Sequence, residues 1–185
     1  PPPPPSFRII NPNLPYLPNA CSSQIHLEKN KISELGEDFL GSSSNLTVVD
    51  LSSNKLQSFG DRRVGSGTVK ILNLQMNNIS TVNLTSLEDI QIDLLDLTNQ
   101  DHMEPITFER RGTCGEGMPT IARYILGGAN VAQSLDSLLD QYNNTDESCA
   151  QAGTTIVVPD SQTLVSNNAT LIANAKKMTG VNLVL

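Results

Sequence analysis

Residues 46–54 read LTVVDLSSN, and the rest of the chain is best understood by working outward from them. Leu46, Val49 and Leu51 are apolar and Asn54 closes the segment, so the spacing is apolar-x-x-apolar-x-apolar-x-x-Asn. The same spacing returns in residues 69–77, VKILNLQMN, through Val69, Leu72, Leu74 and Asn77. Residues 92–100, IDLLDLTNQ, keep Ile92, Leu95 and Leu97 but carry Gln100 in the closing position. Residues 22–30, SSQIHLEKN, form a degenerate opening copy with Ile25, Leu27 and Asn30. The closing positions 30, 54, 77 and 100 are 24, 23 and 23 residues apart. One such segment arises easily by chance, whereas a near-constant step through four copies is a repeat. Within each copy the last two apolar residues alternate as in a short strand, one side inward and the other outward. A closing Asn turns the chain away from the strand, and its amide can satisfy backbone groups that the turn leaves buried. Asn30, Asn54 and Asn77 are therefore expected to form a structural ladder that stops at Gln100.

This pattern resembles the leucine-rich repeat family, in its typical extracellular, receptor-like subclass. The tails agree: NKISELGEDFL places Asn30, Ile32, Leu35 and Phe39, and NKLQSF places Asn54, Leu56 and Phe59. NNISTVNLTSL adds Asn77, Ile79, Val82, Leu84 and Leu87, and the resemblance covers about 80 of 185 residues. It implies an α/β leucine-rich-repeat solenoid over residues 21–100, about four coils with a short parallel sheet on the concave side. It also implies a partner bound on that concave face.

Strand alternation gives that face in columns. The central column is His26, Asp50, Asn73 and Asp96; one flank is Gln24, Val48, Ile71 and Leu94, and the other is Glu28, Ser52, Gln75 and Thr98. An aliphatic stripe thus lies beside an acidic and amide stripe. It suits a partner with an apolar contact next to a basic or hydrogen-bonding group, unless flanking chain covers Val48, Ile71 and Leu94. His26 and His102 are the two histidines, and neither has a Cys, His or carboxylate at sequence spacing typical of metal ligands. No metal and no cofactor are expected.

Outside the repeat the reading changes. Residues 1–20 hold eight of the eleven prolines and are expected to be extended and irregular, as a linker or an edge segment on the first coil. Residues 101–185 form either a divergent α/β cap or an insertion leading into further repeats. There, Val131, Leu135, Leu138, Leu139 and Tyr142 share one helical face, with Asn130 as cap. TTIVV at 154–158 reads as a strand, NATLIANAKKM as a second short helix, and the terminal VNLVL as another strand.

Composition sets the remaining bounds. Aromatic residues are 4% and Trp is absent, so the core rests on Leu, Ile and Val. A formal net charge of −7 argues against nucleic acid, whose binding depends on Lys and Arg. No apolar run approaches the roughly 20 residues of a membrane span. Five Asn-x-Ser/Thr sequons, at Asn45, Asn78, Asn83, Asn143 and Asn168, favour an extracellular chain, secreted or part of a cell-surface ectodomain. In that setting Cys114 and Cys149 are expected to pair, leaving Cys21 for a partner elsewhere. Cys114, set in GTCGEG, lacks any supporting triad context as a nucleophile, so no enzyme is expected. The expected function is protein binding by a receptor ectodomain or a secreted recognition protein. The alternative is a self-associating structural subunit of an extracellular assembly, wall or filament.

Overall fold

The structure is a computed structural model. It describes residues 7–8, 23–41, 45–101, 104–110, 120–142, 153–159, 161–178 and 180–185. The first strands follow the apolar alternation: β1 (Phe7–Arg8), β2 (Gln24–His26), β3 (Leu46–Asp50), β4 (Ser58–Phe59), β5 (Gly67–Asn73), β6 (Thr81–Asn83) and β7 (Ile90–Asp96). Beyond them come β8 (Thr107–Glu109), β9 (Thr120–Ile121), β10 (Arg123–Ile125), β11 (Thr154–Val157) and β12 (Val181–Val184). The helices are α1 (Val131–Tyr142), α2 (Gln162–Asn167) and α3 (Ala169–Ala175), with a 3-10 turn at Leu84–Leu87.

Two parallel sheets result. The large sheet has nine strands in the order β1-β2-β3-β5-β7-β10-β11-β12, with β9 also paired to β7. The small one has the order β4-β6-β8. Between them lies a core in which Val49, Leu51, Leu72, Leu74, Leu95 and Leu97 are all fully buried. Burying each such side chain contributes roughly 1.5–3 kcal/mol. Leu135, Leu138 and Leu139 of α1 join the same core beside Phe108 and Tyr124. Phe108, Tyr124 and Tyr142 stack edge to face, and the hydroxyls of Tyr124 and Tyr142 meet at 3.1 Å.

The leucine-rich-repeat solenoid expected from the sequence is corrected by this architecture. The chain forms a mixed α/β fold with two parallel sheets and few helices, not a horseshoe of equivalent coils. Ile25, Val49, Leu72, Leu95, Tyr124, Ile156 and Leu183 stand in register across the large sheet, at successive steps of 24, 23, 23, 29, 32 and 27 residues. A constant step extends only from β2 to β7. After β7 the connections differ in kind, one containing the 12-residue α1 and another the α2–α3 pair. Of the proline-rich stretch, Phe7–Arg8 adds a strand beside β2.

Side-chain amides close the turns after β2 to β7. Asn54 Oδ1 accepts the Ile32 N–H at 3.1 Å, while its Nδ2 donates to the carbonyls of Leu27 and Leu51, both at 2.9 Å. Asn77 repeats this one strand on, accepting from Leu56 N–H and donating to Leu51, Leu74 and Gln75 carbonyls. Asn30 donates to the Leu27 and Glu28 carbonyls. Gln100 does not end the series: it accepts the Ile79 N–H at 2.9 Å and donates to Leu74 and Leu97 carbonyls. Its extra methylene spans the same gap. The residue before each amide, Lys29, Ser53, Met76 or Asn99, has φ between 52° and 57°. A left-handed residue there sends the chain sharply out of the strand, a conformation that costs a non-glycine residue roughly 1–2 kcal/mol.

Candidate functional site

The pairing register assembles the predicted columns on the outer face of the large sheet. His26 is opposite Asp50, Asp50 opposite Asn73, and Asn73 opposite Asp96. Gln24, Val48, Ile71 and Leu94 are likewise successive Cα partners. The third column holds its spacing through backbone bonds from Lys29 to Ser52, Ser53 to Gln75, and Met76 to Thr98.

Polar groups in these columns are partly committed to the fold. Asp50, Asn73 and Asp96 each accept the backbone N–H two residues on, from Ser52, Gln75 and Thr98. Asp96 also accepts from the Thr98 hydroxyl and the Gln75 amide, and is only 8% exposed. It therefore organises the face more than it presents a charge. The aliphatic column remains open instead: Ile71 is 41% exposed, while Val48 and Leu94 are half-buried. Across the sheet the apolar surface shifts one column, since Asp96 is opposite Ile125, Ile125 opposite Val157, and Val157 opposite Val184. Val184 is 42% exposed.

At the β2 end three side chains converge that the sequence reading kept apart from metal chemistry. His26, Glu28 and Asp50 each offer one ligand atom, all within 4.8 Å of one another. His26 Nδ1 is 3.7 Å from Glu28 Oε2, and His26 Nε2 is 3.3 Å from Gln24 Oε1. Glu28 Oε2 is buried and has no hydrogen-bond partner. The legible signal was a His-x-Glu on one strand face, with Asp50 one step later in the same column.

A hollow of about 590 Å³ is lined by Glu34, Asp61, Arg62 and Arg63 among others. Arg63 is held by Asp89 at 2.9 Å and Asp38 at 3.5 Å. Both signs of charge line this hollow, so it has little charge preference.

Of the sequons, Asn45 is exposed immediately ahead of β3 and Asn78 is half-buried. The Asn83 side chain accepts the Thr85 N–H and caps the 3-10 turn. Asn168 sits between α2 and α3 without a side-chain capping bond. Asn143, Cys21, Cys114, Cys149 and His102 lie outside the described residues. Among the described residues no helix is long and apolar enough to cross a membrane.

No family model, no curated protein and no solved structure matches the chain. Membership of the leucine-rich repeat family is accordingly withdrawn, and with it the receptor-ectodomain, secreted-recognition and wall-subunit roles that the resemblance implied.

Proposed function

We propose that the outer face of the large sheet between β2 and β7 binds, without chemical turnover, a protein or peptide segment that presents an aliphatic side chain beside a cationic group. The observation that carries this reading is Ile71, 41% exposed in mid-sheet between Val48 and Leu94 and next to the Asp50 and Asn73 column. An exposed Ile71 between two half-buried aliphatic side chains makes an apolar strip that a partner could cover. Charge complementarity then selects Lys or Arg on that partner, in keeping with the net charge of −7.

A random-peptide display selection against the whole chain tests this. Expected are peptides with Leu or Ile within a few residues of Lys or Arg, whose binding Ile71→Asp abolishes and salt weakens. Peptides that bind Ile71→Asp as well as the original chain would sink the reading. A second reading, self-association, is favoured by Val184 and Leu185, 42% and 39% exposed on and beside the outermost strand β12. Sedimentation velocity over a hundredfold concentration range separates the two. On the separate ground of the five sequons, with Asn45 exposed, we place the protein outside the cell.

A further inference from the structure

We propose that His26, Glu28 and Asp50 form a binding site for one divalent cation of the Zn²⁺ class. The site does not depend on the recognition reading above, although the two share Asp50, whose charge a bound cation takes up. His26 and Glu28 are two residues apart and project to the same face, and Asp50 is the Cα partner of His26. The backbone beneath them is fixed by the Leu27 N–H bonded to the Asp50 carbonyl at 2.8 Å and the Lys29 N–H to the Ser52 carbonyl at 2.9 Å. Three ligands therefore stand on two adjoining segments that need no rearrangement.

The side chains carry a second, independent indication. In the neutral tautomer that donates from Nε2 to Gln24 Oε1, 3.3 Å away, His26 keeps its ring lone pair on Nδ1. That lone pair faces Glu28 Oε2 at 3.7 Å, and this oxygen is buried without any hydrogen-bond donor. Something positive must lie between these two atoms, a proton on Nδ1 or a metal ion, and a buried orphan oxygen calls for a bound water or ion. The gap suits a cation: Zn²⁺ with bonds of about 2.0–2.1 Å holds its ligand atoms roughly 3.3 Å apart. All three ligand atoms already lie within 4.8 Å, so side-chain rotation closes the site. Asp50 Oδ1 accepts the Ser52 N–H at 2.9 Å, which orients that carboxylate.

The donor set defines the metal class. One imidazole and two carboxylates balance a 2+ charge and leave a coordination position open for water or a ligand group. Mg²⁺ and Ca²⁺ prefer all-oxygen ligand sets, so the imidazole of His26 favours Zn²⁺ over them. Gln24 acts as a positioning residue, holding the ring in the tautomer that coordinates through Nδ1.

Isothermal titration of the chelator-treated full chain with ZnCl₂ tests the site. The expected result is an equivalent of Zn²⁺ that His26→Gln and Glu28→Gln each bind at least tenfold more weakly. Gln24→Leu is expected to weaken it by roughly 10–100-fold, as loss of a ligand's outer hydrogen bond does. Urea unfolding of the metal-free variants checks that they remain folded, and ¹⁵N spectra of the His26 ring report which nitrogen the metal occupies. Equal Zn²⁺ binding by variants and parent would overturn the proposal. So would the absence of Zn²⁺ binding by the parent chain.

Discussion

Replacing Asn77 with Ala removes a fully buried side chain that serves four backbone groups at once. Those groups do not lose equally. The Leu51 carbonyl keeps Asn54 Nδ2, the Leu74 carbonyl keeps Gln100 Nε2, and the Gln75 carbonyl keeps the Ser53 N–H. Among the described residues the Leu56 N–H bonds only to Asn77 Oδ1, so it becomes a stranded buried donor. A stranded buried group costs about 1–3 kcal/mol, and thinning three shared carbonyls adds a smaller amount. The expected loss is therefore about 2–4 kcal/mol, or roughly 5–15 °C in Tm for a chain of this size. Asn77→Asp sharpens the test. It keeps an acceptor for Leu56 but sets a carboxylate against the Leu51, Leu74 and Gln75 carbonyls, so at pH 7 it should be worse than Ala. Half-buried Asn30→Ala, which strands no donor among the described residues, should cost less than about 1 kcal/mol. Urea unfolding followed by far-UV circular dichroism gives all three values, with unchanged slopes confirming that stability alone has moved. A loss under about 0.5 kcal/mol for Asn77→Ala, or an Asp variant milder than Ala, would refute the reasoning.

Burial, reinforced at Tyr124 by the facing Tyr142 hydroxyl, raises both phenols above their ordinary value of 10.0. Each unfolds into water with a lower value, so the stability they contribute is complete below about pH 10 and is lost progressively as pH climbs from there. Urea midpoints at pH 9 and pH 11 should diverge, and Tyr124→Phe with Tyr142→Phe should narrow that divergence; an unchanged gap counts against the assignment. Gly60→Ala would put a Cβ 2.4 Å from the Asn83 carbonyl oxygen at a residue with φ +83°, so a loss of about 2–4 kcal/mol in urea unfolding is expected. Intact mass of the natural protein should fall on N-glycosidase treatment, and Asn45→Gln should remove one glycan mass; no change in mass removes the ground for placing the chain outside the cell.

Much of the local structure was legible because it follows from short-range physics. Val49, Leu51, Leu72 and Leu74 alternate with outward residues, so strand positions and the columns on the outer face could be read directly. The face from Val131 to Tyr142 likewise marks α1, and the runs at 154–158 and 181–185 contain β11 and β12. What failed was the extension of a local period into a whole architecture. Steps of 23 and 24 residues describe β2 to β7, but Tyr124, Ile156 and Leu183 join the sheet after longer, unequal excursions. The strands β4, β6 and β8 are two or three residues long, too short for alternation to show. Gln100 was misread because its type differs, although its amide reaches the same partners. The columns already set His26 beside Asp50, but their separation along the chain is no metal-ligand spacing, so the cluster with Glu28 was not legible as a site.

The path β2-β3-β5-β7-β10-β11-β12 joins strands that follow one another along the chain, apart from the short members of the small sheet and β9, which also pairs with β7. Cooperativity in such an arrangement passes chiefly from each strand to the next, with no distant strand pairing among the described residues to lock the two ends together. Amide exchange should therefore be graded: slowest near β5 and β7, which are flanked on both sides and seal the deepest core, and faster toward β12. Damage near β7 would uncouple the chain on either side of it, so that one half melts while the other persists. A single melting temperature would then no longer describe the molecule.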